Sequence, residues 1–96
     1  MKRPYELTVI VRIDPSDEVM QAAITQVHTW VEENDQGKVV NADHWGRRRL
    51  AYEINKQREG YYICMQAEIE PAHINELERN LKLSSDILRY LLIRPD

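Results

Sequence analysis

The sequence predicts an α+β fold in which a four-stranded antiparallel sheet carries two helices on one face. Three observations point there: a length that holds one core, four strand-like segments of which Tyr5 to Ile13 and Tyr61 to Ile69 alternate apolar and polar residues, and two segments with apolar residues at every third or fourth position. The chain has 96 residues, the size of a single domain spanning 1–96. Its composition, 43% apolar and 30% charged, excludes a disordered chain, and no apolar run approaches the roughly 20 residues that cross a bilayer. The one cysteine, Cys64, closes no intramolecular bridge. Met1 to Glu6 starts basic but leads into an alternating segment and not a signal sequence, so the reading is cytoplasmic.

The first strand covers Tyr5 to Ile13, with Tyr5, Leu7, Val9, Val11 and Ile13 on one side. A helix then starts at Asp14-Pro15-Ser16-Asp17: Asp14 can cap it, Pro15 suits the first helical position, and Asp17 and Glu18 meet the positive helix end. Val19, Met20, Ala23, Ile24, Val27, Trp30 and Val31 form its apolar stripe, which runs to about Asn34 before Gly37. Lys38 to Trp45 is a weaker strand with Val39, Val40 and Ala42, and Gly46 marks a bulge or bend before the extended Arg47 to Ile54. Asn55 to Gly60 is polar enough to turn the chain into a strong strand, Tyr61 to Ile69, whose Ile63, Met65, Ala67 and Ile69 face the core. Pro71 opens a second helix with Ile74, Leu77 and Leu81 on one stripe. Ile87 to Arg94 is the last strand, stopped by Pro95.

Strand, helix, strand, strand, helix, strand is the order of the split βαβ, ferredoxin-like arrangement. Right-handed crossovers put both helices on one side and leave the other side of the sheet open. This fold hosts several functions, so the site must be argued separately.

The residues exclude most chemistry. His28, His44 and His73 fall on a helix, a strand and a second helix, a spacing that resembles no metal site, and His73 reads as surface in the first turn of its helix. Cys64 sits mid-strand between Ile63 and Met65, and only Gly37, Gly46 and Gly60 are available, so there is neither a nucleophile beside a base nor a glycine-rich phosphate loop. The loop Ile13 to Asp17 is short, acidic and stiffened by proline, which repels phosphate. Glu32, Glu33 and Asp35 read as solvated charge at a helix end. No enzyme, no cofactor, no metal and no small-molecule substrate is expected.

The net charge is −3, opposite in sign to that of a nucleic-acid binder, so any such binding must be local. The cations do gather: Lys2 and Arg3 before the first strand, Arg47, Arg48 and Arg49 in the second, Lys56 and Arg58 at the hairpin tip, Arg89 and Arg94 in the last strand. Acidic residues collect in the helices, including Asp17, Glu18, Glu32, Glu33, Glu76 and Glu78. Cations that merely protect sheet edges from aggregation would give part of this pattern. Of five tyrosines, Tyr62 and Tyr52 look free to stack on a base, while Tyr5, Tyr61 and Tyr90 share the core side. Leu91 and Ile93 lie with Arg89 on the open face, an apolar patch that suits a protein partner as well as RNA.

Arg3-Pro4-Tyr5-Glu6-Leu7, Trp45-Gly46-Arg47-Arg48-Arg49-Leu50-Ala51-Tyr52-Glu53-Ile54-Asn55-Lys56 and Gly60-Tyr61-Tyr62 resemble the bacterial small-subunit ribosomal protein six family over essentially the whole chain. Gly46 to Lys56 is similar to that family's Gly-x-Arg-x-Leu-Ala-Tyr-Pro-Ile-x-Lys segment, and Asp86-Ile87-x-Arg89 also matches. Glu53 departs from it, standing where the family usually has Pro, and the chain given stops at Asp96 without the tail many members carry. The resemblance implies a structural protein of the small ribosomal subunit. It implies binding to the central domain of 16S ribosomal RNA, in a heterodimer with small-subunit protein eighteen, with no DNA or membrane partner. Carried over by position, the RNA contacts are Lys2 or Arg3, Arg48, Arg49, Lys56 and Arg89; the charge map adds Arg47, Arg58 and Arg94. Trp45, Tyr52, Tyr62 and Leu91 are the expected partner contacts. Two other readings of the fold stay open on the residues: a regulatory module that dimerises through its sheet around a small effector, and an acyl-phosphate hydrolase.

Overall fold

A computed structural model describes residues 1–95. Its elements are β1 (Arg3–Arg12), α1 (Asp17–Glu32), β2 (Gly37–Ile54), β3 (Gln57–Ile69), α2 (Ile74–Leu83) and β4 (Ile87–Ile93), with short 3-10 turns at Glu33–Asp35 and Pro71–His73. The four strands form one antiparallel sheet in the order β2-β3-β1-β4, so the expected split βαβ architecture stands. Period-two alternation puts Leu7, Val9 and Val11 of β1 and Ile63, Met65, Ala67 and Ile69 of β3 on one side, where α1 brings Ala23, Ile24, Val27 and Val31 and α2 brings Leu77 and Leu81. The opposite side of the sheet faces outward.

Several boundaries differ from the sequence reading. Helix α1 begins at Asp17 and its N-cap is Ser16, so neither Asp14 nor Pro15 belongs to the helix. Asp14 instead accepts a hydrogen bond from the Ser16 amide (2.8 Å), which folds the loop locally. Val19 then falls in the first turn and stays exposed, outside the stripe it was expected to join. At the other end Asn34 (φ 55°) and Asp35 (φ 58°) take the left-handed conformations. Gly37 is needed for space: a Cβ there would stand 2.0 Å from the Val31 carbonyl oxygen. The expected six-residue turn is shorter. Only Asn55 and Lys56 turn, both with positive φ, and Gln57 to Gly60 already belong to β3. β2 is one strand, kinked where Gly46 (φ 86°) sits in a register shift.

His73, expected at the surface, is buried at 1% exposure. The 3-10 turn at Pro71–His73 aims its ring at the end of α1, where Nε2 lies 2.7 Å from the Trp30 carbonyl oxygen. A carbonyl only accepts, so Nε2 carries the proton and satisfies one of the carbonyls that a helix end leaves without an intrahelical donor. Nδ1 has no hydrogen-bond partner among the described residues, and Glu76 Oε2 stands 3.9 Å away. Nearby, Tyr90 of β4 donates to Glu78 of α2 (3.1 Å), and burial together with that carboxylate raises its phenol above the ordinary value of 10.0.

Candidate nucleic-acid interface

Antiparallel pairing arranges the open face in rows. Gly46, Tyr62, Ile10 and Arg89 stand across the sheet in one row, Arg48, Gly60 and Arg12 in the next toward the hairpin. In the other direction come Asp43, Cys64, Thr8 and Leu91, then Asn41, Gln66, Glu6 and Ile93. Arginines crowd the hairpin end of this face, while Asp43, Glu6 and Glu68 stand toward the other end, where Lys38 faces Glu68.

The kink at Gly46 matters most locally. With φ at 86° it absorbs an extra residue in β2, and Trp45 comes to lie on Tyr62 with ring centroids 6.3 Å apart and planes 15° from parallel. The Arg48 guanidinium stands 5.5 Å from the Trp45 ring, and that of Arg89 stands 5.2 Å from Tyr52. Leu50 is buried over Gly60, where a Cβ would meet Ile10 Cγ2 at 2.3 Å, so the small residue lets Ile10 close against the hairpin.

The hairpin cations therefore fall into two kinds. Arg47 pairs with Glu59 (2.7 Å) and Arg58 lies 3.7 Å from Glu53. Arg48 and Arg89 rest on aromatic rings and, among the described residues, make no salt bridge. Arg49 and Lys56 are exposed and likewise unpaired among the described residues. Glu53, the departure from the resembled segment, thus serves as the partner of Arg58. Lys2, Arg3 and Arg94 are not part of this group: they stand toward the opposite end of the sheet, Arg3 roughly 30 Å from Arg12 along β1 and Arg94, just past β4, roughly 17 Å from Arg89.

The residues expected to meet a protein are differently placed. Tyr52 and Leu91 are exposed and Trp45 is half-exposed, but Tyr62, expected to be free, has a ring face covered by Trp45. Leu91 lines a shallow groove with Thr8, Ile10, Arg89 and Tyr90. Sequence reasoning missed Arg12, which joins the cationic row and donates to the Ser85 carbonyl (3.1 Å); its position in β1 carried that signal. It also missed both arginine–aromatic couples, since neither spacing nor strand parity pairs Arg89 with Tyr52. Cys64, although on the outward side, is buried beside Thr8, whose hydroxyl lies 3.7 Å from its sulfur.

Chemically this surface offers donors and flat apolar rings. Guanidinium groups held on rings lose little freedom on meeting an anion, and their donor edges suit phosphate oxygens and sugar hydroxyls. Among the described residues no three His, Cys, Asp or Glu side chains converge on a metal-sized site, and no helix is long and apolar enough to cross a membrane.

The family model described as Ribosomal protein S6 matches residues 4–94. The small ribosomal subunit protein bS6 of Heliobacterium modesticaldum is 42% identical over 94 residues, covering 98% of this chain and 97% of that protein. That of Saccharopolyspora erythraea is 47% identical over 93 residues, covering 96% of this chain and 77% of its own. The crystal structure of 30S ribosomal protein S6 from Thermotoga maritima superposes with a TM-score of 0.90 at 27% identity, over 99% of this chain and 89% of that one. The C-terminal domain of the MgtC protein from Mycobacterium tuberculosis shares the fold alone, with a TM-score of 0.58 at 13% identity over 98% of this chain and 88% of that one.

Proposed function

The chain belongs to the ribosomal protein S6 family of the small ribosomal subunit, and from that premise we propose that it binds the central domain of 16S rRNA as half of a heterodimer with small-subunit protein eighteen. As a member of that family it is a structural component of a cytoplasmic particle and not an enzyme. Residues 1–96 act as one RNA-binding domain. The observation that supports the reading is the hairpin end of the open face, where Arg48 and Arg89 stand on Trp45 and Tyr52 without carboxylate partners among the described residues.

In this reading Arg48, Arg49, Lys56 and Arg89 meet phosphates and 2′-hydroxyls of a folded RNA junction, which is recognition of shape more than of sequence. Arg47 and Arg58 contribute less, because Glu59 and Glu53 already neutralise them. Lys2, Arg3 and Arg94 form a second contact at the far end of the sheet. Trp45, Tyr52 and Leu91, with Tyr62 beneath Trp45, offer the partner an apolar surface. A basic partner fits, since the chain's net charge of −3 opposes RNA binding by this chain on its own.

The test is salt-dependent binding to a fragment of the central domain, with and without protein eighteen. Binding that tightens with the partner and weakens steeply with salt is the expected result. Absence of binding in both conditions sinks the proposal. Effector-dependent self-association in its place would favour the regulatory-module reading.

A further inference from the structure

The two free edges of the sheet are built differently. β2 lines one of them with Lys38, Asp43, Arg47 and Glu53, and its register against β3 slips at Val39/Asn41 and again at His44/Gly46, each time by one extra residue in β2. Charges and bulges of that kind keep an edge from pairing with another strand. β4 lines the other edge with Ile87-Leu88-Arg89-Tyr90-Leu91-Leu92-Ile93, without proline or lysine. Its own extra residue, Leu88, sits near its start, and from Arg89 to Ile93 it pairs with Ile10 to Glu6 of β1 without interruption. The one charge in the strand is turned inward, since the Arg89 guanidinium stands 5.2 Å from Tyr52 of β2, across the open face and away from the edge.

Five residues of regular strand thus leave the backbone donors and acceptors of one side without a strand to meet. Beside them Leu91 is 60% and Ile93 43% exposed, and Leu91 borders the shallow groove lined by Thr8 and Ile10. A bare edge flanked by apolar side chains suits an added strand, with the main chain giving affinity and alternate side chains giving fit.

This strand is complementary to itself. A two-fold axis normal to the sheet at Leu91 sets Arg89 to Ile93 antiparallel to the same five residues of a second copy. Leu91 then faces Leu91, Tyr90 faces Leu92 and Arg89 faces Ile93, so residues that meet point to the same side of the sheet. Charge agrees at the ends. Asp86 stands just before β4 and Arg94 just after it, both exposed and neither in a salt bridge among the described residues. Antiparallel pairing brings Arg94 of each copy toward Asp86 of the other, whereas parallel pairing would bring like charges together at both ends.

We infer that the free chain pairs its β4 edge with that of a second copy, joining two four-stranded sheets into one across Leu91. This homodimer is separate from the proposed heterodimer and from RNA binding, and its test uses neither.

The experiment is sedimentation equilibrium of the full chain over a concentration series at low and high salt, with thermal melting of every variant as a control for folding. A monomer–dimer equilibrium with a dissociation constant on the order of 100 μM is expected, in keeping with a small interface. Leu91→Asp sets two carboxylates face to face at the axis and should weaken the dimer at least ~10-fold without lowering the melting temperature. Arg94→Asp should weaken it about 5-fold at low salt and little at high salt. Asp86→Arg combined with Arg94→Asp, which reverses both charges, should restore the wild-type value. A chain that stays monomeric throughout overturns the inference, and so does a dimer that survives Leu91→Asp, because its contact would lie elsewhere. A double reversal that fails to restore the dimer overturns the antiparallel pairing.

Discussion

The two faces of the one sheet are built from the same strands, residue by residue in alternation, yet they are constrained by different physics. On the covered face Leu7, Val9, Ile63 and Met65 are wholly buried against the helices, and what matters there is volume. On the open face Arg48, Tyr52, Arg89 and Leu91 keep exposed surface, and what matters is charge and flat area. A single pleat therefore separates stability from recognition. Substitutions one position apart should move different measurements.

The largest expected effects fall on opposite faces. Ile63→Ala removes a fully buried side chain and should lower the unfolding free energy by ~3–4 kcal/mol, read from the denaturant midpoint. Arg48→Glu combined with Arg89→Glu should leave that midpoint within about 0.5 kcal/mol. The same double variant should lower RNA affinity by on the order of 100-fold, or ~3 kcal/mol. An unfolded double variant would break the comparison, because it would put those arginines on the structural side. A smaller effect is expected at His73, whose Nε2 proton serves the Trp30 carbonyl. His73→Ala should cost about 2 kcal/mol of stability, through the cavity and the lost hydrogen bond, with RNA binding unchanged in the folded fraction.

The covered face was legible in the sequence because burial imposes period two on strands and three-to-four on helices, and Leu7, Val27, Ile63 and Leu77 obey it. The misses have local causes. Asn55 to Gly60 reads as a six-residue turn because all six residues are polar or glycine, whereas strand pairing continues through Gln57 and only Asn55 and Lys56 turn. His73 reads as surface because a polar residue near a helix start usually is one; its burial depends on the end of α1, 43 residues away. On the open face, residue type alone suggested which side chains carry the site. Their partners were not legible: whether an arginine finds Glu59 or Trp45 is decided by register and by the kink at Gly46.

That last distinction yields the smallest and sharpest prediction, because Arg47 and Arg48 are exposed neighbours with the same charge that strand alternation turns to opposite faces of the sheet. Arg47 reaches Glu59 at 2.7 Å, while Arg48 lies over Trp45. An exposed ion pair of the first kind contributes little to stability, ~0.2–1 kcal/mol, but it must be broken or shared before its guanidinium can replace a counterion on RNA. Arg48 has no such competitor among the described residues. Arg48→Ala should therefore make the log–log salt slope of RNA binding shallower by almost one full unit, roughly 0.7–0.9. Arg47→Ala should change it by less than about half of that, since a guanidinium held by Glu59 at 2.7 Å displaces a counterion from RNA only after leaving that carboxylate. Equal changes in slope would mean that carboxylate pairing does not sort these cations, and the division of the hairpin arginines into two kinds would have to be abandoned. Glu59→Gln sharpens the same point: releasing Arg47 should strengthen RNA binding about two- to threefold at low salt, with the gain vanishing as salt is raised.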